Sequence, residues 1–355
     1  MTTAAAQRLL IVGSMPPPLG GTTVSLDALA TFAKARGRDV RIVDSNAARG
    51  GLARSTLRTL RDVLLNLSWC DVVSLHFGNR ATVTIAPLLV GICWIARKPV
   101  IFRQFGGSLP ETVKKLPRPA RWMLRHSVFS ADAVLLQTKA MVAAFASWSP
   151  RIRWFPTARR RPSLTCTLAF ATGRRKMLQC LFIGRVSRNK GVTFASRILA
   201  GVNGTRLTVY GPLDDLSEAD FVNENVTYGG ILSPDDVPAV MADHDLLVFP
   251  SVHPGEGYSG TLVEASLVGL PIMAGRWRAL PEMFEDDEVI FLSPRDGAAW
   301  TAAIAAIRDR PDTLAELSAR LLRRSADFDA ETVFGNFLRL CDSVALGRGV
   351  DRCAA

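Results

Sequence analysis

Two glutamates punctuate the stretch GEGYSGTLVEA at residues 255–265, with seven residues between Glu256 and Glu264. If every step between them were helical, their Cα atoms would lie about 12 Å apart along the axis. They therefore cannot share a proton as a carboxylate dyad. The glycines place Glu256 on a tight, exposed turn, and the apolar run places Glu264 on the second turn of a helix. The backbone N–H groups of Gly257, Tyr258, Ser259 and Gly260 then form a candidate cradle for an anion at the helix start. Carboxylates accept well from vicinal hydroxyls, so each glutamate is assigned to a sugar, one on either side of bound phosphates. The plainer alternative makes Glu264 a surface charge and Glu256 a complement to the helix dipole; it leaves the glycines unexplained.

Cations that suit such phosphates occur in GRVSRNKG, residues 184–191. Arg185 and Lys190 share a short loop that begins at Gly184, directly after an apolar strand pattern. Two solvated surface cations are the competing reading. In MPPPLGGTT, Gly20 and Gly21 open a helix after the first strand and offer free amides, although a simple βα turn needs glycine too. Arg103 in FRQFGGS and His76 in SLHFGN also end strands. Arg103 is expected to point toward the site, while a lone histidine serves structure as readily as catalysis.

Short Val/Ile/Leu-rich runs alternate with helical periods along most of the chain, beginning with RLLIVG at 8–13 and DVRIVD at 39–44. Helices are expected at about 22–36, 55–66, 81–95, 120–127 and 139–148. Such βα alternation implies a parallel sheet covered on both faces. Periodicity fails across 157–176, read as a connection, and then restarts with LQCLFIG at 178–184. SPDDVPAVMADH, from Ser233, opens like a capped helix. The fold class is α/β, with two tandem Rossmann-like doubly wound domains at 1–165 and 175–328. Ligands of such sheets bind at the carboxyl ends of the strands, and with two domains the expected site is the cleft between them.

Composition narrows the class further. The chain has 355 residues, 48% of them apolar and 21% charged, as in globular proteins. Residues 1–176 hold 27 Lys+Arg against 7 Asp+Glu, whereas 177–355 hold 16 against 25. The basic half attracts anions: phosphorylated ligands, nucleic acid or acidic lipid. Nucleic-acid readers interleave aromatics with their basic residues, and no such platform is evident. Six cysteines without paired spacing and four scattered histidines give no zinc constellation, so no metal is expected. The start lacks a secretory pattern, and the uncharged stretch 81–96 is too short to span a bilayer. A reduced cytoplasmic protein is expected, peripheral at most on the inner face of a membrane. The arginine-rich VKKLPRPARWMLRHSVF would provide the dock, unless its arginines only snorkel from a buried helix.

Taken together, LFIGRVSRNKGV, the Glu-x7-Glu block ADHDLLVFPSVHPGEGYSGTLVEASLVGLPIMA and LPEMFEDDEVIFLSPRD resemble the family-4 retaining glycosyltransferases of the GT-B fold. PPPLGG and ARGRDV are similar to the family's opening. The resemblance implies a nucleotide-sugar donor on the C-terminal domain and an acceptor, glycan or lipid-linked, on the N-terminal one. It implies that Arg185 and Lys190 neutralise the diphosphate, that Glu264 holds the ribose and Glu256 the donor sugar, and that amides after Glu256 and near Gly21 touch phosphate. It further implies no cofactor or metal, and terminal helices, about 329–355, that cross back onto the first domain. The chain departs from the family where a histidine usually ends the fourth strand. Arg103 stands in that region and replaces it as an acceptor or phosphate contact.

The expected activity is therefore retaining sugar transfer, in bacterial-type surface or exopolysaccharide assembly. Glu264→Ala should weaken donor binding, and Lys190→Ala should lower turnover with the fold intact. One rival is a catalytically silent sugar-nucleotide binder. Another is an NAD-dependent enzyme of Rossmann type, although the GxGxxG fingerprint is missing.

Overall fold

The computed structural model describes residues 8–18, 20–46 and 51–347. The chain divides into two compact units, one formed by 1–158 with 330–355 and the other by 159–329.

Unit 1 is built on six parallel strands in the order β2-β1-β3-β4-β5-β6: β1 (Arg8–Gly13), β2 (Asp39–Asp44), β3 (Val72–Phe77), β4 (Val100–Gln104), β5 (Ala133–Leu136) and β6 (Ile152–Trp154). Its connecting helices are α1 (Gly21–Ala35), α2 (Leu52–Asn66), α3 (Asn79–Val83), α4 (Ile85–Ile95), α5 (Leu109–Lys114), α6 (Arg118–Arg125) and α7 (Lys139–Phe145). Gly37 closes α1 in the left-handed region, φ 77°, which a glycine adopts without steric cost. The pleat sends Val73, Leu75 and Phe77 into a core roofed by α2, α4, α6 and α7. Leu9, Ile11, Val72 and Ile101 face a second core under α1 and the C-terminal helix.

The uniform helical period expected over 81–95 is broken at Thr84, between α3 and α4. Pro87 explains the break, because its ring clashes with the carbonyl four residues earlier, on Val83.

Unit 2 repeats the plan with β7 (Leu178–Ile183), β8 (Thr205–Tyr210), β9 (Val226–Tyr228), β10 (Leu246–Phe249), β11 (Ile272–Gly275) and β12 (Ile290–Leu292), all parallel, in the order β12-β11-β10-β7-β8-β9. Its helices are α8 (Val192–Ala200), α9 (Val237–Ala242), α10 (Gly260–Val268), α11 (Gly297–Asp309) and α12 (Asp312–Arg324). The capped start expected at Ser233 forms only a turn, in which Ser233 Oγ donates to Asp236 (2.7 Å), and α9 begins at Val237. Pro238 lacks an amide to donate to residue 234, so the helix cannot extend backward. The last helix, α13 (Ala330–Ala345), belongs to unit 1, where Phe334 and Phe337 fill the second core.

The stretch read as a connection belongs, from Arg159 on, to unit 2. Cys166 N donates to Val268 O (2.8 Å), Thr167 N to Ala242 O (3.0 Å) and Phe170 N to Asp245 Oδ1 (2.9 Å).

Candidate functional site in unit 2 and a polar cavity in unit 1

In each sheet the strand order reverses at one point, between β1 and β3 in unit 1 and between β7 and β10 in unit 2. Ligand crevices of doubly wound sheets open just beyond such points. In unit 2 the loops leaving β7 and β10 are 184–191 and 250–259; they carry Gly184, Arg185, Lys190, Glu256, Gly257, Tyr258 and Ser259, and Gly260 and Glu264 follow on α10.

Glycines let these loops touch. Gly191 has φ 81°, and an added Cβ would lie 2.6 Å from the carbonyl oxygen of Pro250. Val252 N then donates to Asn189 O (2.8 Å), tying one loop to the other. Gly184 sits under Gly211, whose own Cβ would fall 1.8 Å from Gly184 O, so no side chain fits between β7 and β8 there.

This approach brings Lys190 onto Glu256. The ammonium Nζ lies 2.7 Å from Oε2 and 3.0 Å from Oε1. Ser251 Oγ donates to Oε2 at 2.5 Å. Glu256 was expected to be exposed; it is 6% exposed. The reason is charge compensation, since a carboxylate enters a low-dielectric site only with a cation and a donor to satisfy it. Lys190 also stands 5.6 Å above the ring of Phe249. Arg185 is the open partner of the pair: its side chain is 61% exposed and approaches Asp214 at 3.5 Å.

Glu264 projects from the second turn of α10. Arg159 Nε donates to its Oε1 at 2.7 Å, and the Arg159 side chain is 10% exposed. The guanidinium rests on Gly260, where a Cβ would come 2.4 Å from Nη2. Gly257, Tyr258 and Ser259 are buried. The Tyr258 hydroxyl donates to Glu282 (3.4 Å) and its ring meets Phe328 edge-on. What this segment can offer a ligand is therefore backbone: the first amides of α10 have no acceptor within the helix.

Sequence reasoning missed Ser251, Arg159 and His253. The His253 ring Nδ1 accepts from Gly255 N (3.1 Å), and the Trp277 indole donates to His253 O (2.9 Å), fixing the turn that presents Glu256. Burial and the charge of Lys190 hold this imidazole below its ordinary value. Its place between Ser251 and Glu256 was the available signal. Arg159 gave none, lying 105 positions from Glu264.

Unit 1 has a cavity of about 480 Å³ at its own switch point. Ser14 after β1, Ser45 and Asn46 after β2, Ser55 and Thr59 on α2, and Asn79 after β3 are among the residues lining it. Asn46 Nδ2 donates to the carbonyls of Met15 (3.1 Å) and Pro17 (3.0 Å), holding two of these loops together. Gln104 Nε2 fixes Asn79 Oδ1 at 2.6 Å. Hydroxyls and amides from separate elements thus converge on one space that can hold a polyhydroxylated molecule. His76 is the one predicted residue that lines it. That imidazole is buried, bonded to Ser74 Oγ (2.8 Å), and held well below its ordinary value by burial and then by the Arg103 charge.

Arg103 does not point toward an open site. It is 1% exposed, with its guanidinium 4.4 Å and 4.5 Å from the ring centroids of Phe105 and Phe155. The pleat decides this: Arg103 shares the face of Ile101, which is covered by the second core. Gly20 caps α1 with extended backbone, and Gly21 is its first residue. Neither lines the cavity.

Residues 178–310 match the family described as glycosyl transferases group 1. The match contains Arg185, Lys190, Glu256 and Glu264. A mannosyltransferase of Mycolicibacterium hassiacum, named MMP alpha-(1->4)-mannosyltransferase, is 30% identical over 35% of this chain and 30% of its own length. The phosphatidyl-myo-inositol mannosyltransferase of Mycobacterium leprae is 29% identical over 46% of each. The chain spans between 26% and 46% of the length of the curated relatives it matches. Among solved structures, Anabaena HepE in complex with UDP aligns over 95% of this chain and all of its own, with TM-score 0.73 and 17% identity. The architecture is the GT-B fold.

Proposed function

We propose that the protein is a retaining glycosyltransferase of the family-4 type, moving a sugar from a nucleoside-diphosphate donor to a glycan or lipid-linked acceptor. The observation that carries this reading is the meeting of Lys190, Glu256 and Ser251 at the β7/β10 switch point, inside the segment that matches a glycosyltransferase family. Arg185 and Lys190 take the diphosphate together with the first amides of α10, which substitute for a metal in stabilising the departing charge. Glu264, aimed by Arg159, holds the ribose hydroxyls, and Glu256 holds the transferred sugar. The polar cavity of unit 1 is the acceptor's place. The acceptor hydroxyl attacks the anomeric carbon on the face from which the phosphate oxygen leaves, and that oxygen receives its proton. Assembly of surface polysaccharide is the setting this chemistry fits.

Ligand-dependent melting with uridine and guanosine diphosphates tests the donor site, and release of nucleoside diphosphate in the presence of acceptor tests transfer. Stabilisation by NAD instead would defeat the reading, and a trapped covalent glycosyl-enzyme would defeat the same-face step. One observation favours a second reading. Lys190 and Glu256 satisfy each other so closely that a protein binding sugar nucleotides without turnover would look the same. Nucleotide binding without any transfer across a panel of acceptors would select it.

A further inference from the structure

The exposed apolar side chains gather on one side of unit 1. Among the described residues thirteen large hydrophobic side chains stand exposed, and eight of these lie on α2, α4 and α6. On α2 they are Leu57, Leu64 and Leu65, between 54% and 70% exposed. Ile95, 87% exposed, stands near Leu88 and Trp94 on α4, and Trp122, 65% exposed, beside Met123 on α6. The three helices form one layer. Helix α2 packs on α4, and both α4 and α6 pack on the turn Val128–Ser130. Their inner faces enter a single core through Val63, Leu89, Cys93 and Leu124. Their outer faces therefore look away from that core in the same direction.

Cations are interleaved with these apolar groups. Arg54, Leu57, Arg61 and Leu65 succeed one another at helical spacing on the exposed face of α2. Arg118, Trp122 and Arg125 do so on α6, just after the exposed Lys114 and Lys115. From 51 to 126 the chain holds 12 Lys+Arg and 3 Asp+Glu. Asp62 and Asp71 are bonded to Arg61 and Arg8.

We propose that this face docks on a lipid bilayer bearing anionic headgroups. Trp, Leu and Ile exposed on one layer of helices suit the boundary between headgroups and acyl chains, and the interleaved arginines and lysines suit the lipid phosphates. The helices lie along the membrane: α4 is 11 residues, about 16 Å, and no described helix is long and apolar enough to cross. A second copy is a poorer occupant, because it would bring two strongly basic faces together. A nucleic-acid backbone would satisfy the cations and leave Leu57, Leu65 and Ile95 facing water.

Co-sedimentation of the full chain with vesicles tests this without any turnover, so its failure is separate from failure of sugar transfer. The protein should pellet with equimolar phosphatidylcholine and phosphatidylglycerol, stay in solution with phosphatidylcholine alone, and be released by salt. Replacing both Arg118 and Arg125 by Glu should lower partitioning on the order of thirtyfold or more, given the contribution of each cation near such a surface. I95S with W122S should lower it at least about tenfold at unchanged charge, because apolar contact is lost. I231S, at an exposed apolar site of unit 2, should leave it unchanged, and all variants should melt like the parent. Equal binding to neutral vesicles, no binding to anionic ones, or full binding by I95S/W122S would overturn the proposal. So would a dimer that I95S/W122S dissolves, or retention on duplex nucleic acid without vesicle binding.

Discussion

Lys190 and Glu256, 66 positions apart in the chain, form a largely buried ion pair, with Nζ 2.7 Å from Oε2. Removing either charge strands the other. Lys190→Met should therefore destabilise the fold by about 3 kcal/mol, the low end for a broken buried pair, since Lys190 keeps a fifth of its side chain in solvent. The double change K190M/E256Q should recover most of that loss and restore no transfer. Urea midpoints and product release measure the two separately. This replaces the sequence expectation that Lys190→Ala leaves the fold intact. A single variant as stable as the parent would show that the pair contributes nothing to folding.

Arg159 aims Glu264. Removing either should weaken nucleoside-diphosphate binding by about tenfold, as expected for a lost charge-assisted hydrogen bond. In steady-state assays Arg159→Ala should raise the donor KM more than it lowers kcat, and Arg159→Lys should restore little, because a point charge cannot reproduce the fixed Nε geometry. Calorimetry with the nucleotide gives the affinity directly. Unchanged affinity in Glu264→Ala would remove that residue from the donor site.

Two glycines predict opposite outcomes. Gly191→Ala places a Cβ 2.6 Å from backbone at φ 81°, where neither side can yield. It should cost about 2 kcal/mol or more and part the two loops. Gly260→Ala meets only the end of the Arg159 side chain, at 2.4 Å. That guanidinium should swing aside, lowering nucleotide affinity with little change in melting temperature.

Burial first, and then nearby positive charge at His76 and His253, hold three imidazoles below their ordinary value near 6.5. Above that value these groups are neutral in folded and unfolded chains alike, and the stability is present in full. As pH falls below it, the unfolded chain takes up protons first, so the unfolding free energy declines toward the depressed folded values. The slope is at most about 1.4 kcal/mol per pH unit for each site. Denaturation from about pH 8 to about pH 5 measures it. His76→Gln, which keeps a partner for Ser74, should remove one proton's share of the slope. An unchanged slope would mean that His76 is protonated as readily when folded as when unfolded.

The alternation of apolar runs with helical periods was enough to read both sheets. Strands buried on both faces, such as VVSLHF and LLVF, are the mark of interior members of a parallel sheet covered by helices on either side. The end of α1 at Gly37 and the extent of α10 were legible for the same local reason. The breaks imposed by Pro87 and Pro238 were missed where periodicity outweighed a single ring.

The sequence by itself determined the two repeated βα patterns, the loops that carry Arg185, Lys190 and Glu256, the helix that carries Glu264, and a basic first half. Those are properties of neighbouring residues: period, turn chemistry and local charge. Tertiary structure alone decided that Glu256 is buried on Lys190 and Ser251, that Arg159 holds Glu264, and that Arg103 is enclosed by Phe105 and Phe155. It also gathered scattered leucines and tryptophans onto one basic face. Each of these depends on which strands lie side by side and on which face the pleat turns outward, and neither is written in the spacing of any single segment.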